Sequence, residues 1–189
     1  ARTMIKILRL ILAIPLLLVA VACSTQQTST VGNSPELEAS ARSALQKLND
    51  SNPKTKDLQA RSKGVLVFPD IMKAGFLVGA QGGNGVMFGP DGTVLGYYNA
   101  SAVSYGLQAG AQTFSEAMFF MSDSAMRDLN DTDGLSVGVG PSVVVVDEGV
   151  GKSMTSSQLT SDLYVFIYGQ QGLMAGLGVQ GQKISKLSR

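Results

Sequence analysis

The hydrophobic and polar positions change rhythm several times along the chain, and each change predicts a different element. An apolar run from Leu10 to Ala22, interrupted at Pro15, comes first. It is shorter than the ~18–20 residues that a membrane-spanning helix needs. From Ser24 to Asn33, "STQQTSTVGN" carries no charge and one sizeable apolar side chain, the pattern of a flexible tether. Ser34 then offers a helix N-cap with Pro35 at the first helical position. Leu37, Ala41, Ala44, Leu45 and Leu48 recur at helical spacing, which predicts an amphipathic helix that buries one stripe. Asn52-Pro53 repeats the cap-plus-proline signal and predicts a second short helix to about Ser62, stopped by Gly64.

Past Gly64 the pattern becomes β. The runs "VLVF" 65–68, "GFLVGAQ" 75–81, "GVMF" 85–88, "TVLGYYN" 93–99, "SAVSYGLQAGAQT" 101–113 and "EAMFFMS" 116–122 predict short strands. The clearest turn is Gly89-Pro90-Asp91-Gly92, and a turn is also predicted through Gly82 to Gly85. Asp123 to Leu129 predicts one or two helical turns, and "GLSVGVG", "SVVVVD", "DLYVFIYG" and "GLMAGLGVQG" complete the β set. Gly138 and Gly140 lie two apart, as do Gly176 and Gly178, while Gly106 and Gly110 lie four apart, so each set falls on one face of its strand. Such a face permits close backbone approach or tight curling, and close packing is predicted near Gly75 and Gly79. The predicted fold is α+β and dominated by β: a curved or barrel-like antiparallel sheet with N-terminal helices packed on it.

Composition then removes most catalytic chemistry. The chain has no His and one Cys, which excludes a Ser-His-Asp triad, a Cys-His pair, every His-bearing zinc site and any multi-Cys metal site. "VVVVDEGVGKS", Val143 to Ser153, suggests a phosphate-binding loop, but the glycine required five residues before Gly151-Lys152 is Val146. Gly79, Gly82, Gly83 and Gly85 do not make G-x-G-x-x-G, and strand, turn and strand follow them where a dinucleotide site needs a helix. Setting Gly134 of "NDTDG" as the glycine of a calcium loop puts Leu129 and Gly140 at liganding positions, which neither can fill. Asp147 and Glu148, adjacent on a strand, point opposite ways and make no acid pair. The expectation is a protein with no catalytic residues, cofactor or metal.

Charge and leader add a location. Arg2, Lys6 and Arg9 precede the apolar run, which closes "AVAC" and turns polar. That ending resembles the bacterial lipobox, with Ala20 where Leu is commoner. The resemblance implies cleavage before Cys23 and acylation of its thiol; the alternative is a plain secretory signal. Ser24, where Asp would signal otherwise, resembles the outer-membrane sorting pattern. The expected organisation is a lipoprotein signal peptide over 1–22, a lipidated Cys and tether over 23–33, and a single domain over 34–189 on the periplasmic face of the bacterial outer membrane. Removing 1–22 takes three of the 15 Lys and Arg and none of the 14 acids, leaving −2, so nucleic acid is not an expected partner. Lys54, Lys56, Arg61 and Lys63, opposed only by Asp57, form the densest basic segment of that mature part. They either meet anionic headgroups, at about 1 kcal/mol each, or make an ordinary solvated helix face.

"SKGVLVFPDIMKAGFLVGAQGGNGVMF", Ser62 to Phe88, resembles the opening of the SYLF domain, through Lys63-Gly64, Lys73-Ala74-Gly75-Phe76 and Gly83-Asn84-Gly85-Val86. "SYGLQAGAQ" is similar to the family's Gly-x-Gln-x-Gly segment at Gly106, Gln108 and Gly110. "YGQQGLMAGLGVQG" is similar to its closing motif at Tyr168, Gly172-Leu173, Ala175-Gly176 and Gly181. The similarity runs from about Ser40 to Leu187. It implies lipid binding, described for eukaryotic members as phosphoinositide recognition, actin binding in some fungal ones, and no catalysis. Gln171 stands where the family often has Lys, Gln180 where an acid often precedes the last glycine, and the usual tryptophan of the middle hairpin is absent. A bacterial lipobox argues against actin and makes an anionic glycerophospholipid the natural ligand. Lys54, Lys56, Arg61, Lys63 and Lys73 are the headgroup candidates, and Cys23 the attachment site. The alternative is a structural envelope lipoprotein that binds a protein or cell-wall partner and has no lipid site of its own.

Overall fold

The structure, a computed structural model, describes residues 35–131, 134–137, 143–147 and 161–187. The predicted signal, Cys23, the tether, Gly138, Gly140 and the Gly-Lys-Ser segment lie outside the described residues. Helix α1 spans Pro35–Ser51 and α2 Lys54–Arg61. The stripe read from the sequence is the buried one: Ala41, Ala44, Leu45 and Leu48 face inward. Glu36 and Glu38 sit in the first turn, where the helix dipole favours them. Pro53 itself takes the N-cap place of α2, while Asn52 Oδ1 accepts from the Lys54 amide at 3.3 Å. Asn49 Nδ2 donates to Gln59 Oε1 at 2.8 Å and ties the two helices together.

The strands are longer than predicted. β1 runs unbroken over Gly64–Phe88 and β2 over Val94–Phe120, joined by the expected turn, where Asp91 Oδ1 accepts from the Thr93 amide and hydroxyl. Helix α3 follows at Asp123–Asn130, capped by Ser122, whose hydroxyl accepts from the Ala125 amide. β3 is Leu135–Val137, β4 Val143–Asp147 and β5 Leu163–Lys186. The sheet order is β1-β2-β5-β3, with β4 also on β5. All pairings are antiparallel except β4 with β5, which is parallel. Gly82 to Gly85 continues β1, paired in register to Ser101 through Tyr98, so the turn predicted there is absent.

A straight strand of 25 residues would be roughly 80 Å long, far beyond any core this chain can build. β1 instead curls back on itself. A Cβ on Gly85 would lie 2.5 Å from Phe68 Cδ1, and one on Gly83 would lie 2.6 Å from the Asp70 carbonyl oxygen. Glycine in the far half thus lets the near half approach, at positions that the sequence suggested were a turn. The fold is α+β and β-dominated, a curved antiparallel sheet carrying the helices.

Side-chain alternation splits the core between the two sheet faces. Val65, Val67, Val86, Phe88, Phe119 and Phe166 pack with Leu45, Leu48 and Leu58 of the helices, and Phe119 meets Phe166 edge-on at 5.5 Å. Leu66, Phe68, Met87, Met118, Phe120 and Ile184 form the second cluster with Leu129 of α3. Both faces are covered here, which is why "VLVF" and "AMFF" are apolar throughout.

Candidate functional site

The middle of the three long strands belongs to neither cluster. Around residues 72–80 of β1 the buried pattern gives way to exposed positions, and Ala109 to Ala111 of β2 and Gln171 to Leu173 of β5 are exposed as well. Backbone geometry makes this the bend. A Cβ on Gly75 would stand 2.4 Å from Gly79 Cα, so the two glycines permit a close approach, where the sequence placed it. Gly172 on β5 has φ +97° and its absent Cβ would meet the Ala111 carbonyl at 2.6 Å. Leu77, at φ 62°, is the one non-glycine residue in the left-handed region among the described residues, and a bulge lies there. Backbone strain of this kind costs about 1–3 kcal/mol and persists only where the surroundings impose it.

The bend is apolar and, among the described residues, uncovered. Of the eight large hydrophobic residues exposed among the described residues, seven lie on it: Met72, Phe76, Leu77, Val78, Val103, Tyr105 and Leu173. Phe76 is 74% exposed and Leu173 88%. The register pairs Val78 with Tyr105 and aligns Ala74, Ala111 and Leu173 across three strands, so these side chains share a face. The sequence placed these residues on strands; only the curl shows that no described residue covers them.

Toward the helices this face descends into a cleft of about 700 Å³ between α1 and the sheet. Ser43 and Lys47 line it from α1, Asp70 from β1, Ser115 from β2, and Tyr168 and Gln171 from β5. Tyr168 is 6% exposed, yet its hydroxyl has no hydrogen-bond partner among the described residues. Burial, and secondarily the neighbouring Glu116 carboxyl, push its phenol well above the ordinary range, so it stays protonated. Glu116 is buried on the other side of β2, where burial raises it to about 7 against the opposing hydrogen bond from Gln182. Gln81 is also buried, with neither amide atom partnered among the described residues. Nothing in the sequence singled out Tyr168, Glu116 or Gln81 as buried polar groups, because their placement depends on which strand halves meet.

The predicted headgroup residues fall in two places. Lys54, Lys56, Arg61 and Lys63 gather on and just after α2. Lys56 pairs with Asp50 at 3.6 Å and Lys63 with Asp123 at 3.5 Å, both at exposed positions where such pairs are weak. Arg61 Nε donates to the Asp57 carbonyl oxygen at 3.3 Å, and Lys54 is half-buried. Lys73 stands apart at the start of the bend, roughly 30 Å along β1 from Lys63, with Met72 and Ala74 on either side. Cys23 lies outside the described residues.

An exposed apolar bend thus stands beside a polar cleft on one α+β domain. The family model described as "Ysc84: Las17-binding protein actin regulator" matches residues 101–188, from early β2 through β5. The match supports the assignment to the SYLF domain family that the motifs at Gly106–Gly110 and Tyr168–Gly181 implied, and with it, in coarse terms, a lipid-binding domain. No curated protein matches the chain.

Proposed function

We propose that this is a non-enzymatic, lipid-anchored protein of the bacterial outer membrane whose SYLF domain binds phospholipid at the periplasmic face, with the bend as its contact surface. The observation that carries the reading is the clustering of exposed apolar side chains on one strand bend. Patches of this kind on soluble domains mark interaction surfaces. Each Phe or Leu transferred out of water contributes about 1.5–3 kcal/mol, so a few such residues outweigh the basic segment. Lys73 stands between Met72 and Ala74 on β1, so strand alternation turns it to the other face of the sheet, and it meets headgroups only where the edge of the bend enters them. The four cations about α2 are weaker candidates, since two of them already have carboxylate partners.

The test is flotation of residues 24–189, which contain both core clusters, with vesicles of phosphatidylethanolamine alone and with added phosphatidylglycerol, at low and high salt. Association that survives high salt is the expected result, because apolar burial is not screened. Binding that salt abolishes would move the contact to the α2 segment. No association with either vesicle would sink the lipid reading and favour a protein or cell-wall partner on the same apolar face.

A further inference from the structure

The cleft beneath α1 has a chemistry that surface contact alone does not use. Lys47 and Asp70 bring one positive and one negative group to it, and neither forms an ion pair among the described residues. Tyr168 presents a buried O–H with no acceptor among those residues. Thr113 and Gln171 of the cleft lining lead by register toward the apolar bend. Met72, Thr113 and Gln171 form one register row at its rim, and the next row on the same face is Ala74, Ala111 and Leu173. One row beyond lie Phe76 and Ala109.

We infer that the cleft takes the headgroup of one glycerophospholipid bearing both a phosphate and an ammonium, with the acyl chains laid over Leu173 and Phe76. The inference rests on the membrane reading above and gives that reading a specific ligand. A phosphate oxygen supplies the acceptor that Tyr168 lacks, and the Lys47 ammonium supplies its counter-charge. The headgroup ammonium then meets Asp70. An anionic headgroup without an ammonium would leave the Asp70 carboxylate facing phosphate with nothing between them, so the cleft favours the zwitterion. A volume of about 700 Å³ is within the range of small-molecule sites and holds a headgroup with the glycerol portion.

Short-chain dihexanoyl phosphatidylethanolamine, dihexanoyl phosphatidylglycerol and chainless phosphoethanolamine, titrated calorimetrically below micelle formation into residues 24–189, test this. The ethanolamine lipid should bind about tenfold more tightly than either comparator, the scale of one charge-assisted hydrogen bond or of apolar chain burial. Tyr168→Phe and Lys47→Ala should each weaken it about tenfold with melting temperature unchanged or raised, and Asp70→Asn should erase the preference over phosphatidylglycerol. Equal binding of the two lipids would overturn the zwitterion assignment, and equal binding of phosphoethanolamine would overturn the acyl contact. Unchanged affinity in all three variants would overturn the cleft as the site. Flotation separates this inference from its parent: a triple variant that still floats while its short-chain lipid affinity equals wild type leaves the membrane reading standing and removes the cleft. A wild-type protein that neither floats nor binds the short-chain lipid removes both.

Discussion

Gln182 Nε2 donates to Glu116 Oε1 at 3.1 Å, joining the late part of β5 to a buried carboxyl near the end of β2. Glu116 is opposite Phe68 and Ile167 in the sheet, and Gln182 opposite Ala102, so the two residues sit in different stretches of the ladder. Their contact exists because the long strands curl. It places an ionisable group, 1% exposed, inside a core otherwise built from Leu66, Phe68 and Met118.

Glu116 should therefore make stability pH-dependent. Its carboxyl rises from an ordinary 4.5 to about 7 in the folded protein, mainly through burial. Between those values the folded state holds the proton more tightly than the unfolded chain, so stability falls as pH rises. The contribution is fully present below about pH 4.5 and gone above about pH 7, a loss of up to about 3 kcal/mol. Urea unfolding at pH 5 and pH 8 should show this fall, and Glu116→Gln should flatten it and stabilise the protein at pH 8.

The curl itself should hinge on particular glycines. Gly75→Ala puts a methyl 2.4 Å from Gly79 Cα and 2.7 Å from the Val78 carbonyl oxygen, and backbone atoms cannot step aside. A destabilisation of about 2 kcal/mol or more is expected from such overpacking. Gly82→Ala meets only the Ala100 carbonyl oxygen at 3.5 Å and should stay within about 0.5 kcal/mol of wild type. Chemical denaturation of the pair distinguishes close approach from a general dislike of replacing glycine.

Arg42 holds α1 to the β1–β2 turn. Its Nη2 donates to the Gly92 carbonyl oxygen at 3.0 Å, and its guanidinium lies 4.6 Å from the Phe88 ring centre. Arg42→Ala should cost about 1 kcal/mol, and Arg42→Lys should recover little of it, since an ammonium does not reproduce the planar stack. Thermal melting reads both.

The apolar bend and the basic segment can be told apart by substitution. Phe76→Ser with Leu173→Ser should reduce vesicle association at high salt by about tenfold or more while leaving the melting temperature unchanged, because both side chains are exposed. Lys54→Ala, Lys56→Ala and Arg61→Ala together should weaken only the low-salt association with anionic vesicles. The opposite pattern would place the contact on α2.

Much of the fold is legible in the sequence. The stripe Ala41, Ala44, Leu45 and Leu48 marks the buried side of α1 because helix periodicity is local and strong. The turn at Gly89–Gly92 is equally local, fixed by Asp91 and a glycine at φ +79°. Strand length was not legible. Gly82, Gly83 and Gly85 look like a turn in sequence, and only pairing with β2 shows that they keep the strand going, with Gly83 and Gly85 sparing space for Asp70, Ile71 and Phe68. The basic residues could be found by inspection, but their partners Asp50 and Asp123 could not, since ion pairing depends on how separate elements meet.

By itself the sequence determined the helix faces, the β character past Gly64, the family motifs and the poverty of catalytic residues. These follow from local periodicity, from turn chemistry and from which side chains are present at all. Tertiary structure alone decided that Phe76 and Leu173 face outward while Phe68 and Phe166 are core, and that Tyr168 and Glu116 are buried polar groups. The reason is that strand alternation assigns a residue to a face, whereas burial depends on what packs against that face. In this chain the helices and the curl of three long strands bury the strand ends, and no described residue covers the bend between them.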